Sequence, residues 1–164
     1  MGTGKPRAGT PPITTGNVIR DSSMGLATQL IEGIVRLNDS VWRRNSVRLA
    51  LVEMLRLRNA RTVNCVFCKA ARYDVARQDD GFASSGLSEV EKLVLGFADV
   101  YLRDPGHFDP QLIARLREHF SAEQICHMAV ALATFNASSR CAVSLGGMPE
   151  FVPVMEVTLP PPVE

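Results

Sequence analysis

Three helix starts are written into this chain strongly enough to set its architecture before composition is considered. Ser88 followed by Glu91 has the form of a capping box: the serine oxygen accepts from a free N–H of the first turn while the carboxylate reaches back to the cap. Ser121 and Gln124 repeat the box, with Phe120 and Ile125 spaced as a hydrophobic staple. Phe108-Asp109-Pro110 sets an acidic cap before a proline at the first helical position. The last of these helices should run from Ser121 to about Leu145, where Gly146-Gly147 supplies a stop and Pro149 prevents resumption.

Apolar periodicity extends the pattern toward the amino terminus. Met24, Leu26, Leu30, Ile31, Ile34, Val35 and Leu37 recur at three- and four-residue spacing from Asp21 onward, the mark of an amphipathic helix. A second helix is expected from about Asp39 to Asn59, with Val47, Leu49, Ala50, Leu51, Met54, Leu55 and Leu57 on its apolar face. Arg43, Arg44, Arg48, Arg56 and Arg58 fall on its other faces, which read as solvated or intersubunit. Asn64 then stands as the cap of the next helix. Only Phe151 to Leu159 is strand-like. The expectation is an all-α bundle of about six helices over residues 21–147. A flexible Gly/Pro/Thr-rich arm (1–20) precedes it and an extended Pro-rich tail (148–164) follows.

A chain of 164 residues that is 46% hydrophobic and 21% charged can bury one real core. With 18 Lys and Arg against 17 Asp and Glu, the net charge of +1 gives no electrostatic reason to expect nucleic acid or an anionic membrane as partner. The amino terminus does not read as a secretory signal, and no apolar run approaches the roughly 18 to 20 residues of a membrane span. A reducing, cytoplasmic setting is therefore the expectation. There, four cysteines at 65, 68, 126 and 141 do not read as a disulfide framework.

The chemistry concentrates at Cys65-Val66-Phe67-Cys68. A thiol attacks a peroxide or disulfide as its thiolate, and the partner of a C-x-x-C pair can resolve the oxidised sulfur. Three residues apart, the two would share one side of a helix at its positive end, which favours both thiolates. Glu53 lies twelve residues before Cys65. Packing the two helices antiparallel would bring its carboxylate within reach, as a group that passes protons. No cofactor or metal is expected, because a zinc site needs two further ligands and the chain has no second C-x-x-C.

Glu53, Cys65-x-x-Cys68, Leu87-Ser88-Glu89 and Leu132-Ala133-Thr134-Phe135-Asn136-Ala137 before Leu145-Gly146 together resemble the alkylhydroperoxidase D and carboxymuconolactone decarboxylase family over about residues 25–147. The resemblance implies an all-helical AhpD-like fold, homo-oligomers such as trimers or hexamers, and reduction of alkyl hydroperoxides. It also implies a small peroxide or hydrophobic substrate and an external dithiol as reductant. Carried onto this chain, Cys68 would be peroxidatic, Cys65 resolving and Glu53 part of a proton relay.

Two positions depart from the pattern. Arg72 stands where the peroxidase branch usually has a histidine after the second cysteine, and Phe67 stands between the cysteines. Arg72 can lower a thiol pKa through its charge but cannot shuttle a proton near neutral pH. His127, beside Cys126, is the other auxiliary candidate, and which face of its helix meets the thiols is left open. Two alternatives accompany the oxidoreductase reading: a decarboxylase-like lyase on a small metabolite, and a non-catalytic oligomeric redox sensor or binding scaffold.

Overall fold

The computed structural model describes residues 5–16, 19–77 and 86–159, so positions 1–4 and 17–18 of the expected arm and 160–164 of the tail lie outside the described residues. Seven α-helices stand among the described residues, with one short 3₁₀ turn and two three-residue strands. The fold is an all-α bundle.

The chain enters the bundle through the 3₁₀ turn Ser23–Ala27, capped by the Ser22 hydroxyl, which accepts from the Met24 N–H. Helix α1 (Thr28–Arg43) follows and turns Ile31, Val41 and Trp42 inward. Here the structure corrects the expected boundary. Residues 39–43 complete α1, and the chain breaks at Arg44, where the Asn45 side-chain oxygen accepts from the Val47 N–H in a local turn. Helix α2 (Leu49–Val63) starts only after that turn and runs past the expected end at Asn59.

The bundle is built around α2. It packs along helix α7 (Ala122–Leu145) and helix α5 (Glu89–Arg103), and also meets helices α3 (Val66–Ala70) and α4 (Asp74–Arg77). Surrounded in this way, α2 buries Leu51, Val52 and Leu55, and also the polar Glu53, Arg56 and Asn59. Arg56, expected on a solvated face, is therefore inside the protein. A buried polar group without a partner costs about 1–3 kcal/mol, so each of the three must be satisfied internally. Their partners lie at the candidate site.

The anticipated caps form. Ser88 and Glu91 close a capping box on α5, Ser121 and Gln124 close one on α7, and Asp109 caps helix α6 (Pro110–His119) with Pro110 in the first turn. Such a cap contributes about 1 kcal/mol, enough to hold each boundary. Helices α5 and α6 lie against each other, and Leu93, Val94, Phe97, Leu116, Phe120, Met128, Leu132 and Phe135 join α2 in one core. Trp42 stacks on Tyr73 with ring centroids 4.2 Å apart.

The carboxyl-terminal segment returns to this framework. Strand β2 (Met155–Val157), within the stretch read as strand-like, pairs in parallel with β1 (Ala71–Tyr73), the segment directly after α3. At the other end of the chain, residues 5–16 lie against the terminus of α7. Arg7 donates its backbone N–H to Leu145 O and its guanidinium to Val143 O and Ser144 O, satisfying carbonyls that the helix end leaves free. Among the described residues, no helix is long and apolar enough to cross a membrane.

Candidate functional site

The chain turns sharply between α2 and α3, and the two cysteines sit at that turn. Asn64 ends α2 in the left-handed conformation, φ 58°, a geometry that asparagine tolerates better than most residues. It is thus the stop of one helix rather than the start of the next. The cap of α3 is Cys65 itself, whose sulfur accepts from the Cys68 N–H at 3.3 Å. Cys65 and Cys68 are joined as a disulfide, with Cα atoms 5.2 Å apart. The two sulfurs differ in exposure: Cys65 is fully buried, whereas Cys68 is half-buried.

Behind the pair lies a buried ion pair. Arg56 donates from Nε to Glu53 Oε2 (2.6 Å) and from Nη2 to Glu53 Oε1 (2.7 Å). The same guanidinium donates from Nη1 to the Cys68 carbonyl and from Nη2 to the Ala71 carbonyl, both at 2.6 Å. Its carbon lies 5.3 Å from the centre of the Tyr73 ring. Glu53 is therefore coupled to the cysteine turn through Arg56, with both carboxylate oxygens engaged by the guanidinium. Arg56 clamps the backbone that carries Cys68.

The auxiliary candidates point elsewhere. Arg72 donates to the carbonyls of Lys69 and Ala71, tying off the end of α3. His127 Nδ1 accepts from the Ser46 N–H at 3.0 Å and lies beside the Ser46 hydroxyl, holding the α1–α2 loop against α7. Neither residue lines the clefts at Cys68. Of the other cysteines, Cys126 and Cys141 are free and exposed. Among the described residues, no group of three or more His, Cys, Asp or Glu is placed to hold a metal ion.

Sequence reasoning missed a side chain that hydrogen-bonds the Cys68 sulfur. The hydroxyl of Ser139, buried in the carboxyl-terminal half of α7, donates to Cys68 Sγ at 3.3 Å and accepts from Asn59 Nδ2 at 3.0 Å. The only signal for it was indirect. Asn136, three residues before Ser139, is a polar side chain following the apolar stretch 128–135 and needs a partner there, which it finds in Asn59.

Cys68 opens onto two clefts. One, of about 400 Å³, reaches both cysteines and is walled by Met24, Phe67, Ala142, Leu145 and Met148, with Pro6 and Thr10 of the amino-terminal segment at its rim. The other, of about 310 Å³, reaches Cys68 but not Cys65 and is walled by Phe67, Tyr73, Phe135, Met155 and Val157, with Asn38, Arg56, Ser138 and Ser139 as polar groups. Asp21 fastens the rim by accepting from the Thr15 N–H and hydroxyl and the Gly16 N–H. These bonds, the Thr15 backbone one foremost, hold its carboxyl below the ordinary aspartate range. The arrangement has room for a small apolar molecule beside Cys68.

No family model matches the chain. Two uncharacterized proteins of Mycobacterium tuberculosis, one from each of two strains, are 27% identical to it over 144 residues, covering 80% of this chain and 49% of theirs. The chain thus spans about half the length of these relatives. In three dimensions it is similar to the crystal structure of an Agrobacterium tumefaciens protein of unknown function, put forward there as the antioxidant defence protein AhpD. The TM-score is 0.59 at 20% identity, over 74% of this chain and 90% of that one. The fold of this chain is accordingly an all-α, AhpD-like bundle.

Proposed function

We propose that the chain is a dithiol–disulfide oxidoreductase that reduces organic hydroperoxides. The supporting observation is the asymmetric pair: a closed Cys65–Cys68 disulfide in which Cys68 is half-buried and borders two apolar clefts, while Cys65 is fully buried and borders one of them. In the proposed cycle the Cys68 thiolate attacks the terminal oxygen of the hydroperoxide. The O–O bond breaks, Cys68 becomes a sulfenic acid, and the departing alkoxide takes a proton to leave as an alcohol. The Cys65 sulfur then displaces water from the sulfenic acid to form the disulfide. An external dithiol returns both electrons and both protons.

Proton delivery in this cycle falls to solvent in the clefts, since Glu53 is engaged by Arg56 and His127 by Ser46. General acid–base assistance is typically worth about 10²- to 10⁴-fold, so turnover should be slow. The same observation favours a second reading, a redox switch that oxidises once and changes partner or assembly without sustained turnover. The exposed Leu30 and Leu37 on α1 support the homo-oligomer in which either activity would operate.

The test is to add cumene hydroperoxide to the reduced protein, with dithiothreitol as the recycling dithiol. The hydroperoxidase reading requires many equivalents of peroxide consumed per protein above the dithiothreitol background, abolished in Cys68→Ser. A single equivalent consumed would favour the switch.

A further inference from the structure

Four side chains connect the solvent to the Cys68 sulfur in one unbroken line. Arg140 Nε donates to Asn136 Oδ1 at 2.9 Å, and Asn136 Nδ2 donates to Asn59 Oδ1 at 2.8 Å. Asn59 Nδ2 donates to Ser139 Oγ at 3.0 Å, and the Ser139 hydroxyl donates to Cys68 Sγ at 3.3 Å. Arg140 is exposed, whereas Asn59 and Ser139 are buried, at 0% and 2% exposure.

The outer end dictates the direction of the whole line. A guanidinium has donors only, so Arg140 obliges Asn136 to turn its carbonyl oxygen outward and its NH₂ inward. Asn59 must then present its own oxygen to Asn136 and its NH₂ to Ser139. Ser139, already accepting, keeps its proton for the sulfur. Amides do not give up protons near neutral pH, so the line does not ferry a proton. It aims four aligned dipoles at one atom, and in a buried setting such bonds polarise one another.

We propose that Arg140, Asn136, Asn59 and Ser139 form a one-way donor line that stabilises the Cys68 thiolate once the disulfide opens. The inference rests on the dithiol–disulfide reading above and makes these four positioning residues of the pair. A disulfide sulfur is a weak acceptor and a thiolate a strong one, so the line strengthens when Cys68 becomes charged. It supplies charge stabilisation at a site whose neighbouring sequence positions lack imidazole, and it marks the half-buried sulfur as the nucleophile.

The experiment is the pH dependence of iodoacetamide alkylation of the reduced full chain, with fragmentation mass spectrometry separating Cys68 from Cys65. Ser139→Ala should raise the Cys68 midpoint by about one pH unit. Below the midpoint the rate should fall only roughly threefold, because a weaker thiolate fraction is partly offset by greater nucleophilicity. Ser139→Thr keeps the hydroxyl and should stay near wild type. Arg140→Glu tests the direction without entering the core: a carboxylate only accepts, so both amides turn over and the Ser139 proton is drawn to Asn59. Its midpoint should also rise, and remain raised at about 1 M salt, where a simple charge effect is screened, while Arg140→Lys should restore it. Midpoints in Ser139→Ala and high-salt Arg140→Glu equal to wild type would overturn the proposal. The alkylation midpoint does not depend on hydroperoxide turnover, so wild-type thiols that ignore hydroperoxide would refute the redox reading separately.

Discussion

Arg56 holds both carboxylate oxygens of Glu53, at 2.6 and 2.7 Å, and through its other N–H groups fixes the carbonyls of Cys68 and Ala71. Charge on one helix is thereby converted into position on the next. The residue expected to move protons is engaged instead in holding the turn that carries Cys68.

Removing one member of this pair strands the other as a buried charge. Glu53→Gln and Arg56→Met should each lower stability by about 3 kcal/mol, while the double variant should lose much less than their sum. Urea unfolding of the four proteins checks this. Additive losses would mean the two side chains do not depend on each other.

The sulfurs should differ sharply as nucleophiles. In the reduced protein, iodoacetamide should label Cys68 roughly tenfold faster than the fully buried Cys65, with Cys126 and Cys141 labelled from the surface. Peptide mapping after brief alkylation reads the order. Faster labelling of Cys65 would reverse the roles assigned to the pair.

The Asp21 tie at the rim of the larger cleft should respond to acid in a defined direction. Its folded pKa is depressed by the Thr15 bonds foremost, so the tie is fully present above the unfolded aspartate value of about 3.9 and is lost as the pH falls through the lower folded value. The Thr15 and Gly16 amide shifts in NMR spectra should therefore titrate together, with a midpoint below the ordinary aspartate range. Asp21→Asn should weaken the tie at neutral pH. Amide shifts that move near pH 5, or not at all, would show that this carboxylate does not fasten the segment.

Gly147 gives a steric test of the same segment. Its φ is +78°, and a Cβ there would meet Pro6 Cγ at 2.7 Å. Gly147→Ala should displace the segment from the end of α7 and increase trypsin cleavage at Arg7, with the bundle's melting temperature nearly unchanged. Unaltered cleavage would mean that the contact with Pro6 does not hold the segment in place.

Local chemistry made the helix starts at Ser88, Asp109 and Ser121 legible, because a cap is a contract between residues two or three apart. The fold class and the C-x-x-C motif were legible for the same reason. The α1–α2 break was missed because Asn45-Ser46 is a weak stop beside the glycines and prolines that usually punctuate a helix, and its turn is held by the local Asn45–Val47 bond together with bonds linking Ser46 to His127 and Gln124, far along the chain. Asn64 was read as a cap for α3, but asparagine serves equally well in the left-handed position that ends a helix. Asn59 and Ser139 were illegible as site residues for a different reason, whereas an Arg56–Glu53 pair is within reach of sequence reasoning because the two stand three residues apart. Asn59 and Ser139 stand 80 positions apart in the chain, and only the packing of α2 along α7 brings them together, while Arg56 is turned inward by the burial of α2.

The central claim, that this pair exchanges electrons with a hydroperoxide, is tested most directly by mass. Treating the fully reduced protein with one equivalent of cumene hydroperoxide should remove about 2 Da and confine the loss to the peptide holding Cys65 and Cys68, while Cys65→Ser should stop at a sulfenic acid that dimedone traps on Cys68. An unchanged mass, or oxidation confined to Cys126 and Cys141, would contradict it.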